Sequence, residues 1–183
     1  MASSVTHHML ARPSFEAPVK LLIVVAPYYK EIADALVDGA RSEITASGAT
    51  SELVEVPGAL EIPSAIAMAE RLSNYDGYVA LGCVVRGATT HYETVCNDSS
   101  RALTLLGLQG LNIGNGILTV ENMAQAEERA NPADMNKGGG AASAALHLVA
   151  LARKWGGRRT TAGFKPEADS LLLADISKGS SPA

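Results

Sequence analysis

The sequence is poor in the residues that ligate metals, form redox pairs and stack. Of its 183 residues two are cysteines, four are histidines and 4% are aromatic. Cys83 and Cys96 fit no metal or redox spacing, and both read as small core residues in a reduced compartment. No segment approaches the roughly 18 apolar residues that a membrane span needs. The opening M-A-S-S-V-T-H-H-M-L-A-R-P holds no apolar core long enough for a signal peptide. The expected location is therefore cytoplasmic, with no membrane partner. Basic residues form no run and the formal net charge is −4, which speaks against nucleic acid as a partner. His7-His8, in a polar terminus, reads as neutral to function, and no metal site is expected.

What the chain has in quantity is aliphatic residues and glycine: 47% is hydrophobic and 17 residues are glycine, typical of a compact α/β chain. Its length suits one domain, able to bury about 70% of the surface of the unfolded chain. Residues 1–18, interrupted by Pro13 and Pro18, read as a flexible N-terminal arm able to dock on a neighbour. Residues 19–157 read as the domain, and 158–183 as a flexible tail with a short apolar patch at Leu171-Leu172-Leu173. Within the domain, apolar runs at 19–26, 50–56, 78–85 and 111–119 predict strands. Helical spacing predicts helices over 30–47, closed by Gly48, and over 61–71, 90–107 and 137–155, with a short one between Asn122 and Asn131-Pro132. Asn122-Met123-Ala124-Gln125 offers a capping box for the short helix. Strict alternation implies a four-stranded parallel sheet with right-handed crossovers and helices on both faces, a three-layer α/β/α single domain. Ligands in such sheets bind beyond the C-terminal strand edge, where Tyr28, Gly58 to Leu60, Cys83 to His91 and Asn115 are expected to converge.

Residues 77–93, G-Y-V-A-L-G-C-V-V-R-G-A-T-T-H-Y-E, carry the chemistry. An apolar strand buried on both faces turns abruptly polar at Arg86-Gly87, and Thr90 to Glu93 fits a capping box in which Thr90 caps the helix and Glu93 reaches back. A helix N-terminus leaves N–H groups unpaired and carries roughly half a positive charge. An anion can sit there on the Ala88 and Thr89 amides, with Arg86 as a nearby cation. His91, at about the first helical position, then stands beside the anion as a neutral imidazole able to relay a proton. Spacing alone does not separate this from a plain strand-Gly-helix turn with an exposed Arg86 and a surface His91.

The whole stretch, A-L-G-C-V-V-R-G-A-T-T-H-Y-E-T-V, resembles the L-G-x-V-I-R-G-x-T-x-H-(F/Y) signature of the 6,7-dimethyl-8-ribityllumazine synthases. Val56 to Pro63 resembles that family's V-P-G-A-(F/Y/L)-E-(I/L)-P, and Asn115-Gly116-Ile117-Leu118-Thr119 contains its G-(I/V)-L-T. Gln125 to Ala130 resembles Q-A-x-E-R-A, and Asn136-Lys137-Gly138 its N-K-G. The likeness runs from about residue 20 to 155, and the tail lies beyond it.

The resemblance implies a flavodoxin-like fold and a transferase of riboflavin biosynthesis. The reaction condenses 5-amino-6-(D-ribitylamino)uracil with 3,4-dihydroxy-2-butanone 4-phosphate, giving the lumazine, phosphate and water, with no cofactor. By resemblance His91 is the proton-transfer histidine. Tyr28 is the aromatic that stacks on the pyrimidine, with Cys83, Val84 and Val85 lining the same pocket. Glu61 and the Ala59-Leu60 backbone hold ribityl hydroxyls. Ala88, Thr89 and an Arg129 donated across a subunit interface bind phosphate, and Lys137 lies near the pyrimidine. Pro27, Leu60 and Asn115 depart from the pattern most often seen, with Asn115 standing where phenylalanine is common. That loss of an aromatic wall motivates an alternative, a weakly active or inactive scaffold that binds lumazine or flavin. The implied partners are the two small-molecule substrates and further copies of the chain, as a pentamer or a shell of pentamers. The stretch 131–135 looks uninserted, which leaves the shell open, and the tail favours the isolated ring.

Overall fold

The computed structural model describes residues 10–156. Nine elements follow in order: β1 (Lys20–Val25), α1 (Lys30–Ala46), β2 (Thr50–Glu55), α2 (Glu61–Leu72), β3 (Gly77–Val85), α3 (His91–Leu108), β4 (Ile113–Val120), α4 (Met123–Ala130) and α5 (Lys137–Gly156). Their ends lie within two residues of the positions that periodicity predicts. His7-His8 and the whole of the expected tail, 158–183, lie outside the described residues.

All three strand pairings are parallel, in the order β2-β1-β3-β4. This is the doubly wound order of flavodoxin-like sheets. Alternation along β1 explains its unbroken apolar sequence. Leu21, Ile23 and Val25 enter one core with α1, α4 and α5, whereas Leu22 and Val24 enter a second with α2 and α3. Both faces are covered, so neither set can be polar.

The first core depends on close backbone approach. A Cβ on Gly114 of β4 would lie 1.8 Å from the Ala141 carbonyl oxygen of α5, and one on Gly138 would lie 2.0 Å from that of Leu36 in α1. Asn136, in the left-handed region at φ 44°, caps α5 by accepting the Gly139 N–H at 3.1 Å. Asn136 and Gly138 thus have structural reasons to flank Lys137. At the end of α1, Gly48 adopts φ 71° and the Gly48 and Ala49 amides close a Schellman turn on Thr45 and Ile44.

The expected capping boxes differ from the structure. Thr90 makes no side-chain cap on α3, and Glu93 is drawn to the Arg86 guanidinium, a stronger charged partner than a backbone amide. At α4 the Asn122 side chain does accept the Gln125 N–H, but Gln125 reaches back one residue further, to the Glu121 N–H.

At the N-terminal edge of the sheet, Asp76 joins four segments. Its carboxylate accepts the Lys20 N–H at 2.8 Å and Arg153 Nη2 at 2.9 Å, and its carbonyl accepts Asn112 Nδ2 at 2.9 Å. Arg153 also donates to the Ala17 and Pro18 carbonyls, and Arg12 pairs with Glu43, so residues 12–18 lie along their own chain. Replacing Gly138 with alanine forces the α1 and α5 backbones apart. Gly138→Ala is expected to cost about 3 kcal/mol, a typical overpacking penalty, read as a lowered thermal midpoint; an unchanged midpoint would refute the close packing.

Candidate functional site

The chain runs outward from β1 to β2 and then crosses to β3, so the crossovers diverge beyond the C-terminal ends of β1 and β3. Divergent crossovers leave a crevice there. A cleft of about 560 Å³ occupies it. Tyr28 follows β1, Ala59, Leu60 and Glu61 follow β2, Cys83, Val84 and Val85 end β3, and His91 opens α3; all eight line the cleft. Tyr28 is 75% exposed, its ring open at the mouth and braced edge-on by Tyr29 with centroids 5.1 Å apart. Glu61 starts α2 with its carboxylate against Gly58, where a Cβ would come within 2.9 Å of Oε2.

Ala88 and Thr89 lie in the exposed loop that leads into His91. Among the described residues their N–H groups meet no hydrogen-bond acceptor, and Thr90 leaves the first turn of α3 uncapped. The open amides and the helix dipole make this loop receptive to an anion. Arg86 does not face the loop as a free cation. Its Nε donates to Glu121 at 2.7 Å, its Nη1 to Glu93, and its guanidinium carbon sits 4.1 Å from the centre of the Tyr92 ring. The guanidinium holds the Glu93 carboxyl below the usual carboxylate range. Among the described residues that line the cleft Glu61 brings a carboxylate and there is no Lys or Arg, while Glu93 and Glu121 are paired with Arg86 beside it.

Five sequence-predicted residues are not among those lining the cleft: Ala88 and Thr89, in the loop that leads into His91, and Asn115, Arg129 and Lys137. Asn115 pairs in register with Ala80, well before the end of β4, and lines a second cavity of about 550 Å³ with Leu108, Leu111, Leu148, Leu151 and Trp155. Its Oδ1 accepts the Ile117 N–H at 3.0 Å on the free edge of β4. Arg129, half-buried on α4, donates to the Gln125 carbonyl at 3.1 Å and pairs with Glu128. Lys137 is exposed at the start of α5.

Sequence reasoning missed Tyr29 and Val95 as lining residues. Val95 was accessible, since it lies one turn beyond His91 and shares its face of the helix. Tyr29 had no signal apart from adjacency to Tyr28. Among the described residues no three His, Cys, Asp or Glu side chains gather as a metal site.

Comparison with known proteins is unambiguous. A family model described as 6,7-dimethyl-8-ribityllumazine synthase matches residues 18–153. A relative of that name from Jannaschia sp. (strain CCS1) is 55% identical over 174 residues, 95% of this chain and 96% of its own. Others of that name, from Novosphingobium aromaticivorans and Bartonella tribocorum, are 52% and 56% identical over 74% and 76% of this chain and 98% and 93% of theirs.

Burial pushes the Cys83 thiol up from about 9 to about 11. The folded chain therefore keeps this proton while the unfolded chain loses it, so relative stability is full below about pH 9 and is lost as pH rises towards 11. In Cys83→Ala the fall in melting temperature across that window is expected to be shallower than in the parent; equal slopes would show that the thiol is not buried.

Proposed function

The chain belongs to the 6,7-dimethyl-8-ribityllumazine synthase family, and we propose that the cleft at the switch point is its active site. The reaction is that of a transferase in riboflavin biosynthesis: 5-amino-6-(D-ribitylamino)uracil condenses with 3,4-dihydroxy-2-butanone 4-phosphate to give the lumazine, phosphate and water. The observation that carries the assignment is convergence. Three separate crossovers deliver an aromatic face, a carboxylate and a histidine to one crevice, and that histidine follows a loop of open amides.

In this reading the pyrimidine lies on Tyr28 against Cys83, Val84 and Val85, and its ribityl hydroxyls donate to Glu61 beside the Ala59-Leu60 backbone. The phosphate sits on the Ala88 and Thr89 amides. Imine formation joins the amine to the ketone, phosphate leaves with the C–O bond electrons, and ring closure with dehydration completes the lumazine. Imine formation and ring closure move protons between nitrogen and oxygen as water leaves, elimination removes a proton from the carbon beside the imine, and His91 carries these protons. Holding both reactants in one crevice supplies much of the remaining rate enhancement.

Among the described residues the cleft is lined by no Lys or Arg to meet a phosphate dianion. Arg86 is already neutralised, whereas Arg129 and Lys137 lie on other elements. Donation of Arg129 by a neighbouring copy resolves this, with Lys137 and Asn115 brought towards the pyrimidine, and the working unit is then a ring of five in the cytoplasm. The groove at Asn115 supports such a contact, with Leu108 80% and Trp155 64% exposed beside it. No helix of the described residues is long and apolar enough to cross a membrane.

Purified protein with the two substrates is expected to form lumazine, followed by absorbance, well above the enzyme-free background; no excess rate would sink the assignment. Arg129→Ala should raise KM for the phosphorylated butanone with kcat little changed, whereas His91→Ala should lower kcat by about a hundredfold or more. The reverse pattern would mean the two roles are exchanged. Sedimentation at about five times the 19.0 kDa chain mass is expected, and a monomer would refute shared sites.

A further inference from the structure

Arg86 is bound on three sides. Its backbone N–H donates to the Val120 carbonyl at 2.9 Å, its Nε to Glu121 at 2.7 Å and its Nη1 to Glu93, while its guanidinium stacks on Tyr92. Tyr92 and Glu93 belong to the first turn of α3, and Glu121 begins the turn between β4 and α4. Residues 87–90 therefore span a short gap whose two ends are held by one side chain.

The loop has little else to hold it. A Cβ at Gly87 would meet nothing within 4 Å, and Thr90 provides no side-chain cap. The attached groups are also well exposed, at 40% for Arg86, 47% for Glu93 and 57% for Glu121. Ion pairs this wet add little to stability, so their main effect is geometric.

We propose that Arg86 is a positioning residue for the phosphate: held between Glu93 and Glu121, it fixes the 87–90 loop so that the Ala88 and Thr89 amides present themselves together beside His91. The proposal rests on the reading of the cleft as the active site. A direct phosphate contact by Arg86 would instead have to compete with two carboxylates for the guanidinium, and the two roles make opposite predictions at Glu121, which is not among the residues lining the cleft.

The test is a mutant cycle on the full chain. Arg86→Gln and Glu121→Gln are each expected to raise KM for the phosphorylated butanone about tenfold, and the double variant no further than the worse single, as for residues acting through one contact. KM for the pyrimidine and the melting temperature should stay near the parent values, which a general loss of structure would not allow. A Glu121→Gln variant with a lowered KM would show that the freed guanidinium binds phosphate, and one with an unchanged KM would show that the clamp is idle; either overturns the proposal. Calorimetric titration with inorganic phosphate reads the same loop without turnover. A parent protein that binds phosphate but makes no lumazine would therefore fail the active-site reading, while the phosphate affinities of the variants still decide the role of Arg86.

Discussion

Everything in this molecule depends on the parallel pairing of β1 with β3. Leu21 to Val25 register against Gly77 to Leu81, and the crossovers that leave these two neighbouring strands, to β2 and to β4, run in opposite directions. Because both faces of this pair are covered, its side chains are almost wholly apolar and contribute no chemistry. Polar function is displaced to the C-terminal ends, where the backbone leaves the sheet. The crevice is a by-product of topology, and the residues after β1, β2 and β3 inherit it.

Charge gives the crevice its character. Its own carboxylates suit a polyhydroxy chain, but they oppose a phosphate, and the local arginine is already committed. On the proposed assignment, one chain alone suits the ribityl group better than the phosphate. Backbone amides at the start of α3 soften the conflict, since they donate without bringing a carboxylate of their own.

Element order and sheet type were legible in the sequence because each rests on a local rule, and eight of the cleft-lining residues because the family resemblance singled them out. The run 78–85 is apolar throughout since it is buried on both faces, and the polar switch at Arg86-Gly87 marks where burial ends. The family signature pointed to Tyr28, Glu61 and His91, and one cleft holds them all. Less was legible where the outcome depends on competition between partners. Glu93 satisfies the spacing of a capping box, but whether it turns to an amide or to Arg86 depends on where β4 delivers Glu121, a long-range fact. Asn115 was expected at the C-terminal edge with the other family blocks. Its position in β4 is set by register with Ala80, and register is not written in the four residues around it.

The Asp76 and Arg153 junction has a mechanical counterpart. By tying the starts of β1, β3 and β4 to the end of α5, it grips the sheet at the end remote from the crevice, like a bench vice on one end of a bundle of rods. Such a bundle is stiffest at the grip and most compliant at its free tips. The crevice walls are those tips, where the Arg86 N–H on the Val120 carbonyl and the water-exposed pair of Arg86 with Glu121 join the ends of β3 and β4. On the proposed reading of the crevice, that free end is also where two reactants enter and a fused-ring product leaves.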